Sequence, residues 1–351
     1  MSFYIILVSA LISAVSTPIA IKIAKKYNLL TDKSKRGHPA HTHQGIIPRG
    51  GGIPIFLSLL ISSLLFLQIN KIVIGILIAN GLLLIVGLLD DRYDLSPYKR
   101  FVFNLIISAI VVSFGLGIPF VSNPFGGVIH LNFWSLKIDI FGIHSILIIA
   151  DILAVLWLSW IMNMVNWSKG VDGQLPGFVS ITAFFLGLIA FRFVAHDISA
   201  QNVANLSFII SGAFLGFLPF NFYPQKIMPG YGGGAMAGFL LGILSILSFG
   251  KLGTAILVLA IPTLDGVYTV IRRLHSHKSP FRADWGHFHH RLMEIGWGKR
   301  RIAVFYWIIS LILGLSSLFL SGIEKVVAFF MIGLIMIVFV YVIERMKKIG
   351  V

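Results

Sequence analysis

The chain is 351 residues long, and 57% of them are apolar while only 12% are charged, against roughly 25% charged in a soluble domain; the mean hydropathy is +0.92. A soluble fold of this size cannot hide that much apolar surface, because the buried fraction grows only slowly with length, so secreted enzymes, soluble nucleic-acid binders and disordered scaffolds are excluded. There is no cysteine, which removes disulfides, thiolate metal sites and cysteine nucleophiles, and the net charge of +15 is read first through the positive-inside rule rather than as a nucleic-acid footprint.

A hydrocarbon core takes about 20 apolar residues per helix, and such runs fall at roughly 2–24, 50–68, 72–89, 101–120, 143–162, 176–194, 205–220, 233–249, 252–270, 303–321 and 325–343. The expected fold is an all-α integral membrane protein, a polytopic bundle of about eleven transmembrane helices. The first run has no small-residue cleavage site after it and reads as a membrane helix rather than a removed signal peptide. With the N-terminus outside, 23 of the 28 lysines and arginines fall on inner segments and 5 on outer ones, which puts the C-terminus in the cytoplasm. Eight of the eleven histidines lie on that same side. The outer loops are plain; the longest, about 121–142, has the irregular alternation of a surface hairpin.

The chemistry is on the inner segments. The first, RGHPAHTHQGIIPRGGG, brings Arg36, His38, His43 and Arg49 up to Gly50 to Gly52, a basic, glycine-rich stretch suited to anions, although any inner loop would be basic. The second, LLDDRYDLSPYKR, places Asp90 and Asp91 where a span meets the interface. Adjacent carboxylates there are costly without a cation or a shared proton, so they read as a divalent-metal site or a base at a phosphate. A solvated helix end followed by an Asp-Leu-Ser-Pro turn is the plain alternative. The third, NMVNWSKGVDGQLPG, sets Asn163 and Asn166 on one helix face, with Lys169 as a point charge for phosphate and Asp172 between two glycines.

The fourth inner segment has Asn221, Pro224 and the cluster Gly230 and Gly232 to Gly234. Such a turn either offers backbone N–H groups to an anion or lets two membrane helices pack closely. The fifth holds Asp265 inside an apolar run, a functional candidate by its position, then Arg272 and Arg273, Asp284, and His287, His289 and His290. The histidine spacing matches no closed four-ligand zinc pattern and suits phosphate contacts better.

In this order and over about residues 32–297, these motifs resemble the polyprenyl-phosphate N-acetylhexosamine-1-phosphate transferases. The first loop resembles that family's basic, glycine-ended loop. Asp90 and Asp91 match its Asp-Asp pair, extended by Asp94, Leu95 and Pro97. Asn163, Asn166, Gly170, Asp172 and Gly173 match its Asn-rich motif, and Asn221 with Pro224 its Asn-x-x-Pro. Asp265, Ser279, Pro280, Phe281, Asp284, His287, His289 and His290 match the last signature, whose His-x-His-His form is more similar to the N-acetylglucosamine branch than to the muramoyl-pentapeptide branch.

The resemblance implies one transmembrane transferase domain over 1–351, with its site on loops 25–49, 90–100, 163–175, 221–234 and 271–302. It implies a homodimer in the bacterial inner membrane and a magnesium (Mg2+)-dependent reaction. In that reaction polyprenyl (undecaprenyl) phosphate attacks the β-phosphorus of a UDP-N-acetylhexosamine, UMP leaves, and a lipid-linked cell-envelope glycan begins. The roles it implies are catalytic for Asp90, Asp91, Asp172, Asp265, His287 and His289, with Asp90 or Asp91 activating the lipid phosphate. Arg36, His43, Arg49, Asn163, Asn166, Lys169, Asn221, Arg273 and His290 would bind substrate, and Asp90, Asp91 and Asp172 would hold a metal. Two positions depart from the pattern: Lys169 stands where the family has the first Asp of its Asn-rich motif, and Tyr231 where it has its magnesium ligand. The competing reading is a retired member that binds lipid phosphate or nucleotide without turnover. A transporter would need paired charges deep in mid-helix, which the spans lack.

Overall fold

The computed structural model describes residues 3–32, 45–123, 125–139, 145–248, 251–279 and 285–349. Arg36, His43 and Asp284 lie outside the described residues. In chain order, α1 (Tyr4–Lys26) is followed by an antiparallel pair of short strands, β1 (Leu30–Asp32) and β2 (Ile46–Pro48), then α2 (Gly52–Phe66), α3 (Lys71–Tyr93) and α4 (Pro97–Ser113). The long loop after α4 forms two antiparallel pairs, β3 (Phe120–Ser122) with β4 (Val128–His130) and β5 (Ser135–Asp139) with β6 (Ser145–Leu147). Next come α5 (Ile148–Trp167), α6 (Gln174–Phe191), α7 (Ser199–Asn221), α8 (Gly230–Leu247), α9 (Lys251–Val258), α10 (Ala260–His275), α11 (Phe288–Glu294), α12 (Lys299–Phe319) and α13 (Gly322–Ile349).

Each of the eleven apolar runs falls on a helix, or, for 252–270, on the broken pair α9 and α10. Among the described residues, eight helices are long and apolar enough on their own to cross a membrane: α1, α3, α5, α6, α7, α8, α12 and α13. The other three runs fall short for visible reasons. Helix α2 has 15 residues. Helix α4 has 17 residues, with Lys99 and Arg100 in its first turn. The break at Leu259 precedes Pro262, which lacks the N–H that would bond the carbonyl of Val258.

The turn signal after the acidic pair is built as its residues dictate. Asp94 closes α3 in a left-handed conformation (φ 52°), its N–H donating to the Asp90 carbonyl at 2.8 Å. Ser96 caps α4, and Pro97 takes the first turn, where a missing N–H costs nothing.

Helix α8 is buried almost throughout, whereas α13 turns Phe330, Leu334 and Ile337 outward. With lipid as solvent, close packing rather than water expulsion holds such helices together, and small residues permit it. A Cβ on Gly238 of α8 would meet the Met162 Cα of α5 at 2.5 Å, and one on Gly212 of α7 would meet the Ser9 Cβ of α1 at 2.8 Å. Ser9 donates to the Ile209 carbonyl at 2.7 Å, and Ser58 of α2 to the Ser9 carbonyl at 2.6 Å, so α1, α2 and α7 share hydrogen bonds inside the bundle.

One end of the bundle collects the loops that bear the chemistry. The Met228 N–H donates to the Pro48 carbonyl at 2.8 Å and the Gly51 N–H to the Met228 carbonyl at 3.0 Å, locking the α8 approach to the α2 approach. The Gly173 N–H donates to Asn221 Oδ1 at 3.0 Å, and Tyr98 Oη lies 3.3 Å from Ser279 Oγ.

Candidate active site

The glycine cluster that opens α8 serves packing. A Cβ on Gly232 would meet the Gly87 Cα of α3 at 3.3 Å, and one on Gly233 the Gly52 N of α2 at 3.3 Å. Three helices therefore converge where α8 starts, with Asp90 and Asp91 at the end of α3 against that start. Gly230 has φ 68°, a conformation glycine adopts without penalty, and a Cβ there would collide with the Asp91 carboxylate.

Both carboxylates of the acidic pair are buried, and both are met by arginine. Arg49 forms an ion pair with Asp91, its Nε 2.9 Å from Oδ1, and its Nη2 lies 3.7 Å from Asp90 Oδ2. Arg100 Nε donates to Asp90 Oδ1 at 2.6 Å and its Nη2 to Asp94 Oδ1 at 2.9 Å. The Tyr231 N–H also donates to Asp91 Oδ1, at 3.1 Å. The Tyr231 hydroxyl donates to Asn104 Oδ1 at 2.8 Å, and its ring carries two cations on its faces, Arg100 at 5.4 Å and Lys169 at 5.9 Å from the centroid.

Lys169 comes from the α5–α6 loop. Its Nζ donates to the Gly230 carbonyl at 2.8 Å. Burial first, then Arg49 and Arg100, outweigh Asp91 and Asp90 and lower its ammonium from the ordinary lysine range to about 7. Below that pH the side chain is protonated and inert to acylation; above it the amine is free. Competitive labelling with acetic anhydride, read by peptide mass spectrometry, is expected to show Lys169 reactivity rising through pH 7. A reactivity that rises only near the ordinary lysine value of about 10 would contradict this placement.

The same loop reaches a second group of residues. Asp172 Oδ1 accepts from Gln225 Nε2 at 3.0 Å and from Lys299 Nζ at 3.2 Å. Asn221 accepts from the Gly173 N–H and donates from Nδ2 to the Ile227 carbonyl at 2.9 Å. Asn166 Oδ1 is buried with no hydrogen-bond partner among the described residues; it faces Gly234, beside the Lys169 chain. Asn163 turns away: its Nδ2 donates to the Ser159 carbonyl one turn back at 2.7 Å.

The histidines form a third group. His287 Nδ1 lies 3.0 Å from Asp265 Oδ2, while Asp265 Oδ1 accepts from the Phe288 N–H at 2.8 Å. A carboxylate only accepts, so Nδ1 carries the proton and Nε2 of a neutral ring is the free acceptor. His287 lies parallel to His289 with ring centroids 5.8 Å apart, and His290 stacks on Trp285 at 4.2 Å. Burial, then His290 and His287, push the His289 imidazole well below the ordinary histidine value, so it is neutral. Both its ring nitrogens lack a hydrogen-bond partner among the described residues, and a Cβ on Gly170 would run into the ring. Trp167, at the end of α5, packs 5.9 Å from His287. Arg273 of α10 is buried and donates to the Ser279 carbonyl at 2.7 Å.

The three candidate metal ligands are not brought together as a set. Among the described residues no three His, Asp or Glu side chains form a group that could hold a metal ion. Asp172 is taken by Lys299 and Gln225, and Asp90 and Asp91 already carry arginines. Position 231 contributes a phenol whose hydroxyl is engaged by Asn104. Magnesium is usually held by one or two carboxylates together with substrate phosphates and water; the two carboxylates that stand together here, Asp90 and Asp91, are each already paired with an arginine that such an ion would have to face, and this donor set does not fit it.

The structure also adds residues that the sequence reading passed over: Arg100, Asn104, Gln225 and Lys299. Lys299 had a signal. Helix α12 begins Lys299-Arg300-Arg301, and three cations at the positive end of a helix dipole are unfavourable without partners. Each has one: Lys299 bonds Asp172, Arg300 bonds the Tyr223 carbonyl at 3.4 Å, and Arg301 lies over the Trp297 ring.

Comparison with known proteins places this geometry. A family described as glycosyl transferase family 4 matches residues 73–249. A probable undecaprenyl-phosphate N-acetylglucosaminyl 1-phosphate transferase of Bacillus subtilis is 30% identical over 347 residues, 97% of this chain and 90% of the relative. A decaprenyl-phosphate N-acetylglucosaminephosphotransferase of Mycolicibacterium smegmatis is 28% identical over 304 residues, 77% of this chain and 71% of its own. A phospho-N-acetylmuramoyl-pentapeptide-transferase of Oceanobacillus iheyensis is 28% identical over 335 residues, 90% of this chain and 96% of its own. Of these, the N-acetylglucosaminyl relative from Bacillus has the higher identity and coverage of this chain, in line with the His-x-His-His form. Eight apolar helices and bacterial relatives of this kind make the chain a multi-pass protein of the plasma membrane. The matched stretch runs from α3 to the end of α8 and so takes in the acidic pair, the α5–α6 loop and Tyr231: the chain belongs to glycosyl transferase family 4.

Proposed function

We propose that this end of the bundle transfers an N-acetylhexosamine-1-phosphate, N-acetylglucosamine-1-phosphate in the first instance, from a UDP-sugar to polyprenyl phosphate at the cytoplasmic face. The observation that carries the reading is the position of the α5–α6 loop. Lys169 on it touches the start of α8 beside Asp90 and Asp91, Trp167 just before it packs on His287, and Asp172 at its end holds Lys299. One loop thus joins a cation-rich acidic pair to a histidine cluster, which is what two phosphorylated substrates meeting at a membrane surface require. The cytoplasmic assignment rests on the 23 of 28 lysines and arginines that fall on this side.

In the reaction, an oxygen of the lipid phosphate attacks the β-phosphorus of the UDP-sugar, the bond from that phosphorus to the bridging oxygen breaks, and UMP leaves. A proton on the lipid phosphate passes to Asp91 or Asp90. Little covalent chemistry falls to the protein, so positioning and charge stabilisation dominate. Arg49 and Arg100 supply fixed positive charge, Lys169 adds its own while protonated, His287 Nε2 faces phosphate with its proton held at Nδ1, and Asn166, Asp172 and Asn221 shape the nucleotide side. The test is transfer of radiolabel from UDP-N-acetylglucosamine to undecaprenyl phosphate by the purified protein. Label in the lipid fraction with equimolar UMP is expected. Absence of transfer from this and other UDP-N-acetylhexosamines, with UDP still bound, would overturn the reading in favour of a member that binds without turnover.

A further inference from the structure

We propose that the diphosphate of the donor is neutralised here by a resident ammonium, that of Lys169, acting with Arg49 and Arg100 in place of a divalent metal ion. This rests on the donor assigned above and concerns how its charge is met. The first ground is the occupation of the carboxylates. Asp91 Oδ1 takes Arg49 Nε at 2.9 Å and the Tyr231 N–H at 3.1 Å; Asp90 Oδ1 takes Arg100 Nε at 2.6 Å; Asp172 takes Lys299 at 3.2 Å; and Asp265 takes His287 and the Phe288 N–H. A divalent ion on Asp91, Asp172 or Asp265 would have to displace a cation or a backbone donor, and Asp90 Oδ2, buried without a hydrogen-bond partner among the described residues, has Arg49 Nη2 3.7 Å away, so an ion there would meet that guanidinium.

The second ground is charge. With Lys169 protonated, Lys169, Arg49 and Arg100 stand against Asp90, Asp91 and Asp94, so the carboxylates around α8's first turn are already matched by cations before substrate arrives. A divalent ion added there would set five positive charges against three negative ones in a half-buried place, where like charges repel strongly.

The third ground is the way Lys169 is held. Gly230, at positive φ, turns its carbonyl to the ammonium at 2.8 Å, and the Tyr231 ring lies beneath it. An ammonium has three donors. The Gly230 carbonyl uses one, and the remaining two can reach phosphate oxygens. Asn166 Oδ1, buried without a partner among the described residues, faces Gly234 as the Lys169 chain does. Tyr231 fills its own position and ties its hydroxyl to Asn104 at 2.8 Å, so that position supports the lysine instead of a metal.

The experiment pairs two readouts on the full chain in detergent: label transfer with magnesium or with EDTA, and calorimetric binding of UDP in EDTA. For the unaltered protein, transfer in EDTA is expected within about twofold of that with magnesium, and UDP affinity is expected to be unchanged. Lys169→Ala is expected to weaken UDP binding in EDTA by about tenfold or more, the scale of losing one charged hydrogen bond, while Lys169→Arg keeps most of it and shows that the fold is intact. Loss of UDP binding and transfer in EDTA by the unaltered protein would overturn the proposal while leaving the transfer reading standing. Unchanged UDP binding in Lys169→Ala would overturn it as well. UDP binding in EDTA that depends on Lys169, without transfer under any condition, would uphold the resident ammonium and sink the transfer reading instead.

Discussion

Arg49→Ala is expected to abolish most transfer and to loosen the fold at once. The side chain sits 14% exposed between two carboxylates that are nearly inaccessible, 0% for Asp90 and 1% for Asp91. Its removal leaves Asp91 with one backbone N–H and Asp90 with Arg100 alone, two negative charges side by side at a membrane interface. Breaking one partner out of a buried ionic group costs about 3–5 kcal/mol, which is read as a fall of several degrees in the melting temperature in detergent. Loss of a preorganised positive charge facing phosphate adds about 10²–10³ in rate. Arg49→Lys separates the two effects. A single ammonium can satisfy Asp91 or Asp90 but does not reproduce a fork that reaches both, so most of the stability returns and only part of the rate. The double variant Arg49→Ala with Asp91→Asn is expected to melt higher than Arg49→Ala alone, because it removes the uncompensated charge. A melting temperature unchanged in Arg49→Ala would refute the network as described.

The bundle was legible because its signals are local. Apolar runs of span length locate every long helix, and Asp94, Ser96 and Pro97 write out the α3–α4 turn in adjacent residues. The chemistry-bearing segments were legible too, since Asp90, Asp91, Lys169, Asp265 and the histidines stand out against an apolar chain. Their partners were much less so. Arg100 looks like an interface anchor until it is found on Asp90, and the pairing of Asp172 with Lys299 spans 127 residues. The glycines opening α8 fit an anion loop and a packing seam equally well in sequence, and only the approach of Gly87 and Gly52 decides for packing. Among the described residues Asp90, Asp91 and Asp172 are not gathered as one set, and sequence could not tell this, because which carboxylates share a site depends on helix crossings. The substitutions at Lys169 and Tyr231 were visible from the outset. That they contact each other, with the lysine over the tyrosine ring, was not; it makes them one change rather than two.

Asp265→Asn should cost about 10²–10⁴ in transfer rate, the range for general acid–base groups and their orientation, with little change in UDP binding or melting temperature. The amide keeps the shape and can still accept from the Phe288 N–H, now at 2.8 Å from Asp265 Oδ1. Its NH2 must then face His287 Nδ1, which lies 3.0 Å from Oδ2. A donor there favours the tautomer that carries its proton on Nε2 instead of Nδ1. The nitrogen that faces phosphate changes from acceptor to donor without any atom moving far. Asp265 is therefore a positioning residue acting through His287, and the two should behave as one unit. His287→Ala is expected to lose about as much as Asp265→Asn, and the double variant little more than either, the non-additivity of residues that act together. If the two losses multiply in the double variant, or if Asp265→Asn melts several degrees lower with rate and melting temperature falling in step, then Asp265 holds the fold of α10 against α11 and does not orient the imidazole.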